Sequence, residues 1–204
     1  MIISHKHKFI FIKTVKTAGT SIEVDLNQVL GDSDIATPIF PAVDGHKSQN
    51  FERGILRKNF YNHMPASEVK KIIGNDIFDN YFVFCVEREP VDKCISHYSM
   101  LRNSPHHNKK TQNLTFDEYI ENKHFPVDTN KYVDENGNLL VNRILKYECL
   151  SDELNEIAKL LGFKINLVAR AKAGFREKIK VSNTQKEVIY DAFSESLAHT
   201  KYKR

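Results

Sequence analysis

An α/β layer fold around a parallel sheet is what this sequence predicts, on three observations. Two short apolar runs, residues 8–12 and Tyr81–Val86, each pass through a brief junction into a helical pattern. The second run is apolar enough to be covered on both faces, as in a parallel sheet. Further helical patterns lie between and after these units, which is the alternation of a layered α/β protein. In such folds ligands bind at the carboxyl ends of the strands, so both junctions would face one crevice.

In the first unit, "FIFIKTVKTAGTSIEVDL" (Phe9–Leu26) changes character midway. After its strand-like start comes "KTAGTS"; then Ile22, Leu26, Val29 and Leu30 fall on one helical face, and Gly31 stands where a helix should stop. From Asp32 to Phe60 prolines, glycine and polar residues break any period, predicting a long irregular connection. "NHMPASEVKKIIG" places Pro65 at a helix start and Gly74 at its end, predicting a helix over 65–73. In the second unit Pro90 can open the helix, because its missing N–H costs nothing in the first turn. Residues 103–113 are expected to form a polar surface loop, and Thr115 with Glu118 has the spacing of a capping box. Asn136-Gly137 is a hairpin-turn signal, Ser151 can cap a helix ending at Gly162, and Thr184 with Glu187 can box a last helix reaching about His199.

At 204 residues, with no repeat or low-complexity linker, residues 1–204 are expected to form one domain. Hydrophobic residues at 41% and charged residues at 27% exclude a disordered chain. The formal charge of +4 suits an anionic ligand and falls short of a nucleic-acid footprint, so no nucleic acid is expected as partner. Cys85, Cys94 and Cys149 make no CxxC pair and are expected to be small buried hydrophobes in a reducing compartment. The apolar run of "MIISHKHKFIFI" is too short for a signal peptide, and no segment approaches the length of a membrane span. The chain is therefore expected to be cytoplasmic, with no membrane partner. His5 with His7, and His106 with His107, lack a third ligand at a usual spacing, and no metal is expected.

The junctions carry the chemistry. A loop running from a strand into a helix presents backbone N–H groups and the positive end of the helix dipole. Gly19 and its small neighbours would let an anion's oxygens approach, Lys16 adds charge, and Thr17, Thr20 and Ser21 add hydroxyls. The plainer reading is that Thr20 or Ser21 caps a helix. A Walker A loop would place its lysine after the second glycine, whereas here Lys16 precedes Gly19. In "REPVDKCISHY", Arg88 leaves a strand end and Ser96 lies two helical turns on, so the pair could meet a second anion. The plainer reading of Arg88 is a pair with Glu87 or Glu89.

Together the two junctions resemble the sulfotransferase family. "FIKTVKTAGTS" is similar to its 5′-phosphosulfate-binding segment, and "YFVFCVEREPVDKCISHY" to its 3′-phosphate-binding strand, turn and helix. The likeness is closest to the carbohydrate-type branch and runs on through "ILKYECLSDELNEIAKLLGF". It implies a three-layer, P-loop-like parallel β-sheet flanked by helices. It also implies 3′-phosphoadenosine-5′-phosphosulfate as donor, adenosine 3′,5′-bisphosphate as product, and a small-molecule or oligosaccharide acceptor.

By this resemblance Lys16, Thr17, Ala18, Gly19, Thr20 and Ser21 hold the 5′-phosphosulfate, while Arg88 and Ser96 hold the 3′-phosphate. A late basic segment, "RAKAGFREKI", would close over the donor through Arg170, Lys172 or Arg176, or else form a solvated face. Lys16 would stabilise the leaving phosphate, and His63 resembles the histidine that relatives place before the same helix, where it would act as general base. The alternative for His63 is a surface or capping role; His46 and Glu23 are weaker substitutes as base. Relatives usually carry Pro where this chain has Val15, and often His where it has Lys13, which adds charge beside the loop or faces solvent. Glu89 stands where they often have Asn or Asp. Two rival readings are a small-molecule or nucleoside kinase, with "FVFCVE" ending in a magnesium-holding carboxylate, and a non-enzymatic module binding acidic glycan or nucleic acid.

Overall fold

The structure, a computed structural model, describes residues 1–52, 59–104, 111–167 and 177–204. Among the described residues five strands form one sheet: β1 (Ile2–Ser4), β2 (Phe9–Ile12), β3 (Ile35–Ala36), β4 (Phe82–Glu87) and β5 (Arg143–Lys146), in the order β3-β1-β2-β4-β5. β2 runs parallel to β4, with Phe9 opposite Phe82 and Ile12 opposite Cys85; β4 runs parallel to β5, with Phe84 opposite Arg143. β1 is antiparallel to both β2 and β3. The sheet is therefore mixed, a correction to the parallel sheet that the sequence predicts. Its cause is local: only His5–Lys8 separate β1 from β2, enough for a hairpin and far too few for a crossover. β5 was not anticipated either, and it completes a parallel trio with β2 at one side of β4.

Side chains alternate across the sheet and give it two apolar faces. Ile10, Ile12, Val83 and Cys85 pack with Ala66, Val69 and Ile72 of α2 (Ala66–Ile73) and Phe78 of α3 (Asn75–Asp79). Phe9, Phe11, Phe84, Val86 and Leu145 pack on the other side with Ile22 and Leu26 of α1 (Gly19–Asn27) and Leu154 and Ile157 of α6 (Leu150–Leu160). A separate cluster joins α4 (Pro90–Asn103), α5 (Phe116–Asn122) and α7 (Asn183–Ala192), followed by α8 (Ser194–His199). No helix among the described residues is long and apolar enough to cross a membrane.

Most helix signals translate directly. Pro65 and Gly74 flank α2, Pro90 opens α4, and Thr115 and Glu118 make both halves of a capping box at α5. Others shift. α1 ends at Asn27, before Gly31, so Val29 and Leu30 lie beyond it. α6 begins at Leu150, leaving Ser151 inside the helix rather than at its cap. At α7 the overlapping box two residues earlier wins: Ser182 accepts from Gln185 N–H and Gln185 closes on Ser182, so Thr184 is interior. The earlier start adds helical hydrogen bonds and still buries Ile189. Around Asn136-Gly137 a turn forms, but only one isolated bridge, Val133 to Leu139, stands where a hairpin was expected. Cys85 and Cys94 are buried as expected, and Cys149 is exposed.

Candidate functional site

The junction between β2 and α1 is built on backbone handedness. Lys16 (φ 61°) and Ala18 (φ 60°) adopt the left-handed region while the residues around them do not. This alternation is the backbone pattern that gathers successive N–H groups into an anion-binding concavity. Helix α1 starts at Gly19 with Ala18 as N-cap and no side-chain cap. Thr20 and Ser21 thus lie inside the helix, and neither fills the capping role considered for them.

Thr17 is fully buried, and its hydroxyl is turned inward, 2.8 Å from Thr14 Oγ1. Thr14 in turn donates to the Val86 carbonyl at the end of β4. Thr17 therefore offers the loop its N–H rather than its hydroxyl. Gly19 is needed for a reason the sequence did not reveal: a Cβ there would stand 2.7 Å from Lys13 Cγ and 3.0 Å from Cε. Lys13 does not face solvent; its stem passes under the loop and its ammonium is paired with buried Glu23, which also takes the Met1 ammonium. Burial pushes the Glu23 carboxyl up, but the Met1 amino group and Lys13 more than offset it and hold the carboxyl below its ordinary value, while burial brings the Met1 amino group itself down to about 6, which leaves Lys13 as the firmer cation at pH 7. Because Lys13 is pinned at its far end, Gly19→Ala is expected to cost about 1–3 kcal/mol, the usual scale of an overpacked site. Thermal unfolding would register this as a fall of several degrees.

The second junction lies next to the first because β2 and β4 are adjacent parallel strands. Arg88, just past β4, donates from Nη1 to the Lys16 carbonyl at 3.1 Å. The same guanidinium pairs with Asp92 in the first turn of α4 and stacks 4.0 Å over the Tyr147 ring. Its carboxylate partner is thus Asp92, neither Glu87 nor Glu89. Glu89 instead caps α4, accepting from Val91 N–H at 3.1 Å and Asp92 N–H at 2.7 Å. Ser96 is half-buried on α4 and makes no hydrogen bond to Arg88. Arg176, with Arg170 and Lys172, lies outside the described residues.

His63 reaches the loop from the connection before α2. Its Nδ1 is 3.0 Å from the Lys13 carbonyl, three residues before Lys16. A carbonyl only accepts, so Nδ1 carries the proton and the lone pair is on Nε2. Burial, and then the Lys13 charge, bring its pKa from 6.5 to about 4, so the ring is neutral at pH 7. Of the substitutes, Glu23 is buried in its double ion pair and His46 is half-buried, with Nε2 lacking a hydrogen-bond partner. His5 and His7 are occupied elsewhere: His5 Nδ1 meets Tyr81 Oη at 2.7 Å, and His7 Nε2 meets the Val29 carbonyl at 3.2 Å.

Beneath the site is an ion network that sequence reading missed. Lys93 of α4 is fully buried, with Nζ 2.7 Å from Glu87 and 2.9 Å from Asp128. Burial works against the Lys93 charge, but the two carboxylates prevail and raise its pKa, while burial raises that of Glu87. Asp128 also accepts from the Val15 N–H at 2.7 Å. No local signal in "FPVDTNK" marks Asp128; its role exists only once four chain segments meet.

These elements define a class: an α/β protein with a loop of left-handed turns after one central strand and an arginine, bonded to that loop, after its parallel neighbour. No family model matches the chain. A protein of Archaeoglobus fulgidus, described as uncharacterized, is 30% identical over 115 residues, spanning 52% of this chain and 89% of that protein. The chain belongs to the same family as this archaeal protein, a kinship that assigns no chemistry.

Proposed function

We propose that the protein is a sulfotransferase of the P-loop-like fold. It moves the sulfuryl group of 3′-phosphoadenosine-5′-phosphosulfate to a hydroxyl or amine acceptor, a carbohydrate being one candidate. The observation that carries this reading is the 3.1 Å bond from Arg88 to the Lys16 carbonyl, which joins the two phosphate-type junctions at the ends of adjacent strands. A single nucleotide with phosphates at both its 5′ and 3′ positions matches two anion sites so connected.

In this reading the acceptor oxygen attacks sulfur and passes its proton to His63 Nε2. The bond from sulfur to the bridging oxygen breaks, and its electron pair stays on the departing 5′-phosphate. Charge grows on that bridging oxygen, so Lys16 and the N–H groups of Thr17, Gly19, Thr20 and Ser21 stabilise the transition state more than the ground state. Ala18 contributes the left-handed turn. Arg88 has five N–H donors and shares them with Asp92 and the Lys16 carbonyl, so a 3′-phosphate would compete with Asp92 for the guanidinium. Ser96 would complete that site from α4.

The kinase reading needs a carboxylate free to hold magnesium at the end of β4. Glu87 is instead buried and paired with Lys93 at 2.7 Å, which favours the sulfotransferase reading. A nucleotide panel separates the two by thermal shift. Adenosine 3′,5′-bisphosphate is expected to stabilise the protein equally with magnesium or with a chelator, whereas stabilisation only by ATP with magnesium would favour a kinase.

A further inference from the structure

We propose that Asp128 is the positioning residue of the Lys16 loop, holding it through the Val15 N–H and tying it to the helix that carries Ser96. This rests on the sulfotransferase reading for what the loop binds. The geometry is independent of it. Asp128 is buried, its Oδ2 lies 2.7 Å from Val15 N and 2.9 Å from Lys93 Nζ, and its Oδ1 lies 3.3 Å from Lys131 Nζ. Lys16 is thereby bracketed. The preceding residue's N–H is held by Asp128 from one side, and its own carbonyl is held by Arg88 from the other.

Such bracketing has a physical purpose. Lys16 is a non-glycine residue at φ 61°, a conformation that persists only where surroundings over-determine it. Proline at position 15 would stiffen the loop by fixing its own φ and would have no N–H to satisfy. Val15 supplies neither property, and its N–H needs an acceptor. A carboxylate serves this role only if its charge is balanced, and Lys93 and Lys131 balance it.

The sign of the expected effect separates positioning from plain electrostatics. Removing a negative charge near an anion site should tighten anion binding; losing the loop's restraint should weaken it. For Asp128→Ala, calorimetry with adenosine 3′,5′-bisphosphate is expected to show affinity lower by about 10- to 100-fold, the scale of one orphaned buried donor. Glu87→Gln removes a charge from the same network without touching Val15, and is expected to leave affinity unchanged or higher. Asp128→Asn keeps an oxygen for Val15 and Lys93 but loses the charge and the oxygen that faces Lys131, and is expected to fall between wild type and Asp128→Ala. Amide hydrogen exchange of the wild-type protein is expected to show Val15 protected.

A folded Asp128 variant that binds at wild-type affinity or tighter overturns the proposal, as does a Val15 amide that exchanges at the rate of an open chain. If neither variant folds, the Val15 exchange decides. Wild-type protein that fails to bind the bisphosphate removes the sulfotransferase reading but not the tether, which the exchange measurement reads by itself.

Discussion

Lys16→Met is expected to lower turnover about 10³-fold while weakening adenosine 3′,5′-bisphosphate binding by no more than about tenfold, the pattern of a group that acts mainly on transition-state charge. The two side chains are similar in length and both would occupy the same left-handed position, so the substitution isolates the ammonium. The asymmetry follows from where the charge appears. In the ground state the sulfuryl–phosphate bridging oxygen carries little of it; as the bond to sulfur breaks, that oxygen takes the electron pair, and a fixed cation gains most at that moment. Single-turnover kinetics with labelled donor, beside calorimetry with the product nucleotide, measures the two effects separately. A parallel loss in both would make Lys16 an ordinary binding residue.

His63→Ala is expected to reduce turnover by about 10²- to 10⁴-fold, the usual worth of a general base, and to spare nucleotide binding. The pH dependence is specific. A base whose pKa in the free protein is about 4 rather than 6.5 stays neutral through mildly acidic pH, so the acid limb of kcat/KM is expected near 4. Donor binding brings negative charge beside the ring and favours its protonated form, so the acid limb of kcat is expected at higher pH. The same shift bears on stability. The folded-state pKa lies below the unfolded value, so the folded state binds fewer protons between them. His63's stabilising contribution is full above about pH 6.5 and is lost as pH falls towards 4. Equilibrium unfolding of wild type and His63→Ala over this range would show a smaller acid loss in the variant.

How much of this was legible in the sequence depends on how local each determinant is. β2 and β4 were readable because a strand buried on both faces is continuously apolar, and α2, α4 and α5 because Pro65, Pro90 and Thr115 mark their starts within one turn. β1 was hidden inside a stretch broken by histidines and lysines. β5, "RILK", is too short and too charged to stand out, and pairs only because β4 offers it an edge. At the site, the residue types of the loop were legible but their directions were not. The hydroxyl of Thr17 turns to Thr14, and Gly19 makes room for Lys13. Lys13 itself, a charged residue that a linear reading would place at the surface, is buried because Glu23 ten residues later meets it under the loop. Asp128 and Tyr147 are fixed by contacts across the chain and have no local signature.

The proposed chemistry requires one nucleotide to span the ends of β2 and β4, with a phosphate at each. Calorimetry with adenosine 3′,5′-bisphosphate and adenosine 5′-monophosphate, on wild type and Arg88→Ala, tests it most directly. The bisphosphate is expected to bind wild type about 100-fold more tightly than the monophosphate, the scale of one strong charge-assisted hydrogen bond, and Arg88→Ala to erase most of that difference. Equal, weak binding of both nucleotides to the wild-type protein would rule out such a span.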